Sequence, residues 1–213
     1  MTDRAFTIEV YSDVVCPWCY IGKRRLERAL EQLHGAAQAR ITWRPFQLNP
    51  AIPKDGMDRT AYLEAKFGSL DAFRQLEEHV LAAGAAARIS FRFEKIARTP
   101  NTFMVHRLIW YAGQQGCQDP VVESLFRGYF EEGADIGMSS TLTELAGRSG
   151  LNVKAVEQFL QSDEGIEDVK AEAAAGHRLG IRGVPYFLLN GIVSIAGAQP
   201  ADIFVTAIQQ AAS

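Results

Sequence analysis

The sequence predicts an α/β fold: a central mixed sheet built from a β-α-β module and an α-β-β-α module, with a large all-helical insertion between them. Three observations carry this. Strand-type alternation at Phe6 to Tyr11, and again at Arg40 to Arg44, brackets a segment of helical period. The strand pattern then largely lapses for about a hundred residues, and helix patterns take over. Near the C-terminus, two β-rich runs separated by Asn190-Gly191 lie between two further helical patterns. The predicted sheet domain is therefore discontinuous, residues 1–48 and 165–213, with 49–164 as the inserted domain.

In the first module, Phe6, Ile8 and Val10 alternate with Thr7, Glu9 and Tyr11, the period of a strand with one buried face. Ser12 to Val15 is the turn. Leu26, Leu30 and Leu33, with Ala29, then step along one helix face. Lys23, Arg24, Arg25, Glu27, Arg28 and Glu31 take the outer faces, so Lys23 is expected in solvent. Pro17 suits the first helical position, where its missing N–H costs nothing and its fixed φ is already helical, which makes Cys16 the N-cap. Gly35 is the expected stop. Ile41 and Trp43 alternate in a second strand before Pro45, and strand, helix, strand over this length predicts a parallel pair.

Asn49 to Asp58, with Pro50, Pro53 and Gly56, is a loop. Tyr62, Leu63 and Phe67 mark a helix ended by Gly68, and Phe73, Leu76, Val80 and Ala83 a second capped by Ser69. Ile89, Phe91 and Phe93 alternate, predicting a short extended segment. Asn101 is the expected cap of a helix from Thr102 to Tyr111 that is apolar almost all round. Asp119-Pro120 opens another, carrying Val122, Leu125, Phe126, Tyr129 and Phe130 and closed by Gly133. Thr141 and Glu144 fit a capping box, and Asn152 caps a helix with Val153, Val156, Phe159 and Leu160.

The last module begins with a helix through Ile166, Val169, Ala173 and Gly176, stopped at Gly180. After Gly183-Val184-Pro185 come the runs Tyr186 to Leu189 and Ile192 to Ile195, joined by Asn190-Gly191 as an antiparallel hairpin. Pro200 and Asp202 start a final helix that buries Ile203, Phe204, Ala207 and Ile208.

Composition bounds the function. With 213 residues, 47% of them hydrophobic, the chain can bury a full core. A net charge of −3 and no long basic run argue against a nucleic-acid partner. No stretch approaches the roughly eighteen apolar residues of a membrane span, and Met1 to Val10 has no apolar signal-type core, so a cytoplasmic protein without a membrane partner is expected. Three cysteines in a reducing compartment suggest a reactive pair and one spare rather than a disulfide framework.

The pair is Cys16-Pro17-Trp18-Cys19. An N-cap side chain faces unpaired backbone N–H groups and the positive end of the helix dipole, and both favour a thiolate. Cys19 lies one turn on, near enough for an intramolecular disulfide. Half of a zinc site would need two more ligands at close spacing, and Cys117, His34, His79, His106 and His177 are isolated, so no metal is expected. Two unrelated buried cysteines would make the placement of Pro17 a second coincidence. Cys117 has no visible partner. Asp13 is expected to cap the turn, with a bias on protonation at the cysteines as the alternative, and His106, among apolar neighbours, to be a hydrogen-bonded core residue.

The stretches Asp13 to Gly22, Pro45 to Pro50, Pro100-Asn101-Thr102 with His106-Arg107-Leu108, and Gly183-Val184-Pro185 with Gly197-Ala198-Gln199 together resemble the DsbA-type thioredoxin domain group. The likeness is nearest to its FrnE-like branch, with 2-hydroxychromene-2-carboxylate isomerases and kappa-class glutathione transferases as relatives, and it runs nearly end to end. It implies a thioredoxin-like fold and a cis Val184-Pro185 bond packed on the sulfurs, with Val184 and Pro185 forming the substrate-binding segment. Phe46, Asn49, Asn101 and His106 become groove candidates, although Phe46 equally fits a core.

The implied activity is thiol-disulfide exchange on protein or small-molecule disulfides. Cys16, expected to be the more exposed, attacks and Cys19 resolves, while Pro17 and Trp18 tune the pair. Better known oxidants carry His where this chain has uncharged Trp18, so a less oxidising couple is expected. No resident cofactor is implied, with glutathione a candidate co-substrate. The alternative is a glutathione-dependent isomerase or transferase; those relatives place Ser at the first motif position. A non-catalytic peptide-binding module on the same scaffold is a third class.

Overall fold

The computed structural model describes residues 6–33 and 39–212. The expected stop at Gly35 and the candidate ligand His34 lie outside them. The chain divides into two compact units, Met1–Leu48 with Lys170–Ser213, and Asn49–Val169.

The first unit is built on β1 (Thr7–Ser12), α1 (Pro17–Gln32), β2 (Arg40–Pro45), β5 (Tyr186–Leu189), β6 (Val193–Ala196) and α9 (Ala201–Ala212), with α8 (Ile166–Arg178) leading into it. The sheet order is β2-β1-β5-β6. β1 and β2 are parallel, while β1 with β5 and β5 with β6 are antiparallel, so the sheet is mixed. Ile8, Val10, Leu26, Ala29, Phe187 and Phe204 form its core, and α9 packs on α1, β5 and β6. Tyr11, placed by alternation on the open face, is buried, because a central strand is covered on both sides: the Gly176 backbone lies so close that a Cβ there would sit 2.8 Å from the Tyr11 ring. Lys23 is likewise not in solvent; it is 3% exposed and ion-paired to Glu27.

The hairpin turns on Asn190 (φ 48) and Gly191 (φ 72), the positive φ pair that Asn-Gly favours. Leu189 opposes Val193, which puts Ile192, expected in the strand, in the turn. Ile203, expected in the core, is exposed on the first turn of α9.

The second unit holds α2 (Arg59–Phe67), α3 (Leu70–Ala86), α4 (Phe103–Gln114), α5 (Gln118–Arg127), α6 (Ser139–Arg148) and α7 (Val153–Gln161). Ser69 and Asn152 cap α3 and α7 through their side chains, and Gly68 and Gly133 end helices with positive φ. Four expectations need correction. Ile89 to Phe93 forms no strand; Phe91 and Phe93 stack on each other and stand edge-on to Phe130, so the aromatic alternation serves a ring cluster. A short ladder instead pairs β3 (Met57–Asp58) with β4 (Arg98–Thr99), so the unit is not wholly helical. The capping box fails because α6 starts at Ser139, which leaves Glu144 inside the helix with Arg148 at 2.8 Å. Asn101 precedes the capping position, held by Thr102, although its Oδ1 accepts the Phe103 N–H at 3.0 Å. Among the described residues no helix is long and apolar enough to cross a membrane.

Candidate active site

The site begins where β1 ends. The Ser12 carbonyl accepts the Phe46 N–H at 3.2 Å, which ties the ends of β1 and β2. The chain then turns, and the Cys16 N–H closes the turn on the Asp13 carbonyl at 3.0 Å. Cys16 is extended (φ −94, ψ 111) at the N-cap of α1, with Pro17 in the first turn. From the other side, Tyr11 opposes Tyr186 in the β1–β5 ladder, so the register brings Val184 and Pro185 to the same end of the sheet. The Val184–Pro185 bond is cis. The Cys16 Sγ lies 3.7 Å from the Val184 carbonyl oxygen and is placed to donate to it. Gly22 lets α1 reach this segment: a Cβ there would stand 3.0 Å from Pro185 Cγ and 3.1 Å from Phe187 Cζ.

Cys16 and Cys19 are free thiols. Cys16, expected to be the more exposed of the two, is so by a small margin, 6% against 1%; both are buried, and Trp18 between them carries the exposure at 38%. Their acidities are driven apart. The Cys19 thiol, donating to the Cys16 sulfur, is the main reason that Cys16 is more acidic than an ordinary thiol. The backbone N–H groups of Cys19 and Trp18 add to this, while burial and the Asp13 carboxylate oppose it. Cys19 is pushed well above the ordinary thiol range, first by burial, then by the hydrogen bond it gives to Cys16 and the charge beside it. Ser12 and the Asp13 backbone work against that rise. The first proton to leave the pair therefore comes from Cys16.

Asp13 sits buried with its Oδ2 accepting the Leu48 N–H at 2.8 Å. Phe46 is buried with Tyr11 and Ile181, and Leu48, Val184 and Tyr186 pack against them. Its ring also lies 5.3 Å from that of His177. Within the first unit the structure thus gathers Cys16, Pro17, Trp18, Cys19, Val184 and Pro185, with Phe46 beneath Val184. Asn49, Asn101 and His106 belong to the second unit. There Asn49 Nδ2 donates to Tyr62 Oη at 2.6 Å, Asn101 Nδ2 donates to the Ile52 carbonyl at 2.6 Å, and His106 is buried on α4. Cys117, also in that unit, is half-buried at the start of α5, and burial raises its thiol. Among the described residues no three His, Cys, Asp or Glu side chains cluster as metal ligands would.

Two contributors escaped the sequence. Ser12 falls on the even positions of β1 with Ile8 and Val10, and that parity alone places a hydroxyl on the buried face just before the cysteines. Gly22, a glycine inside a helical pattern, is the usual mark of a close approach.

Comparison with known proteins covers the whole of this arrangement. A family model described as the DSBA-like thioredoxin domain matches residues 7–209. A crystal structure of a probable DsbA oxidoreductase from Streptomyces coelicolor is 31% identical and superposes with a TM-score of 0.89, over 97% of this chain and 89% of that one. A 2-hydroxychromene-2-carboxylate isomerase shares the fold at 17% identity and a TM-score of 0.70, over 96% of this chain and 95% of its own. The cytosolic disulfide reductase DsbM from Pseudomonas aeruginosa does so at 19% and 0.67, over 96% and 98%, and it has also been solved with GSH.

Proposed function

Because the chain belongs to the DSBA-like thioredoxin domain family, we propose that it is a thiol-disulfide oxidoreductase working through Cys16 and Cys19. One observation carries this: two free, adjacent thiols whose acidities are split, with the acidic one at a helix N-terminus beside the Val184 carbonyl.

The Cys16 thiolate attacks one sulfur of a substrate disulfide. A Cys16–substrate bond forms, the substrate bond breaks, and the departing sulfur leaves as a thiolate that takes a proton from water. Cys19 then loses its proton and attacks Cys16 Sγ, closing the internal disulfide and releasing the second substrate thiolate. The substrate gains two electrons and the pair loses two; the reverse sequence oxidises a dithiol. Val184 offers its backbone to an extended substrate segment, and the apolar cluster of Tyr11, Phe46 and Ile181 backs it.

The substrate is a protein or small-molecule disulfide in the cytoplasm, with glutathione as co-substrate and no resident cofactor. Support for glutathione comes from the fold shared with DsbM, which has been solved with GSH. The pair also departs from the glutathione-dependent isomerases and transferases, which place Ser where this chain has Cys16. Reduction of insulin disulfides by glutathione, followed by turbidity, tests the proposal. Catalysis lost in Cys16→Ala is expected; catalysis retained in that variant would reject it.

A further inference from the structure

A buried hydroxyl must account for its proton, because leaving a polar group unpaired away from water costs about 1–3 kcal/mol. Ser12 is 6% exposed, and its Oγ makes no hydrogen bond among the described residues. The Ser12 hydroxyl and the Asp13 backbone N–H both lie near enough to Cys19 to favour its thiolate. We infer that the Ser12 hydroxyl is a hydrogen-bond donor held in reserve for the Cys19 thiolate, used when Cys19 resolves the mixed disulfide.

The site changes its needs as the reaction proceeds. In the free pair, the Cys19 proton is shared with the Cys16 sulfur, and Cys19 has no use for a donor. Once Cys16 is bonded to substrate, its sulfur is neutral and no longer draws that proton. Cys19 now has to ionise in a buried position, with its proton going to water. A hydroxyl rotates freely about its C–O bond, so Ser12 can turn its O–H onto the new charge without moving the backbone. The Cys19 thiolate then forms the bond to Cys16 Sγ, and the substrate sulfur departs with its electron pair. A donor to a buried anion is worth more than one to a neutral group. The donor that is idle in the resting pair therefore favours the step that buried Cys19 makes slow.

The inference rests on Cys16 attacking and Cys19 resolving, and the test separates the two assignments. In a Cys117→Ser background, the reduced chain is mixed in a stopped-flow instrument with the chromogenic disulfide dithiobis(nitrobenzoate). The first coloured thiolate reports attack by Cys16, and the second reports resolution by Cys19. Ser12→Ala and Ser12→Val should leave the first release unchanged and slow the second at least about tenfold. Ser12→Thr, which differs from the Val variant by its hydroxyl, should restore the second release. Folding stability should be unchanged or raised in the Ala variant, since it removes a buried hydroxyl that makes no hydrogen bond in the resting pair. A second release that is equally fast in the Ala and Val variants overturns the role of Ser12 alone. Absence of any first release from Cys16 overturns both assignments.

Discussion

At the scale of the residue, the proposed chemistry comes down to which of two sulfurs, one helical turn apart, loses its proton first. The largest influence on Cys16 is its neighbour's thiol, so Cys19→Ala should raise the Cys16 midpoint in a pH series of iodoacetamide alkylation followed by mass spectrometry. In the intact chain that midpoint should lie below the ordinary thiol range, with Cys19 unreactive until well above it. Asp13→Asn removes a buried negative charge that opposes the Cys16 thiolate, and it should lower the midpoint further. The sign carries over to folding. Where folded Cys16 has ionised and the unfolded thiol has not, the unfolded chain binds more protons, so the reduced protein gains stability as pH rises through that window. Above the ordinary thiol value Cys19 acts in the opposite sense, because the folded chain keeps a proton that the unfolded one has lost. Urea titrations of the reduced chain should show the rise below that value vanish in Cys16→Ser. The cysteines and Pro17 were legible as a motif, and so was the order of exposure within the pair, but the near-complete burial of Cys16 was not, since spacing says nothing about what the rest of the chain lays over a helix end.

At the scale of the element, α1 is fixed by its apolar stripe and by a close approach at Gly22. Leu26 is buried on that stripe, and Leu26→Ala should cost about 2–5 kcal/mol in urea unfolding. Gly22→Val would drive branched carbon into Pro185 and Phe187, and it should cost about 1–3 kcal/mol through overpacking. A cost near zero for Gly22→Val would mean that the Pro185 segment yields. Elements with local causes were readable: the strand alternation of β1, the Asn190-Gly191 turn, and the caps at Ser69 and Asn152. Those with non-local causes were not. Phe91 and Phe93 alternate like strand residues, yet their partner is Phe130, far along the chain. Lys23 has a solvated helix residue's sequence neighbours, yet it is buried beside Glu27.

At the scale of the whole molecule, the order of modules was legible because each half carries its own periodicity, and the family match from residue 7 to 209 spans both halves. The direction of electron flow is a different kind of property. It depends on how far the reduced form is favoured over the disulfide, and here burial and the Asp13 carboxylate work against a stable Cys16 thiolate while the Cys19 thiol and the backbone N–H groups of Cys19 and Trp18 work for it. That balance predicts a couple between the extremes of the fold. The decisive measurement is equilibration of the chain with glutathione buffers of graded ratio, trapping by acid and alkylation, and counting of free thiols at Cys16 and Cys19 by mass. The expected result is one reversible two-electron transition of both cysteines together, with a potential between about −270 mV, as for thioredoxin, and about −120 mV, as for DsbA. Cysteines that stay reduced across the whole series, or that titrate independently of each other, would contradict it.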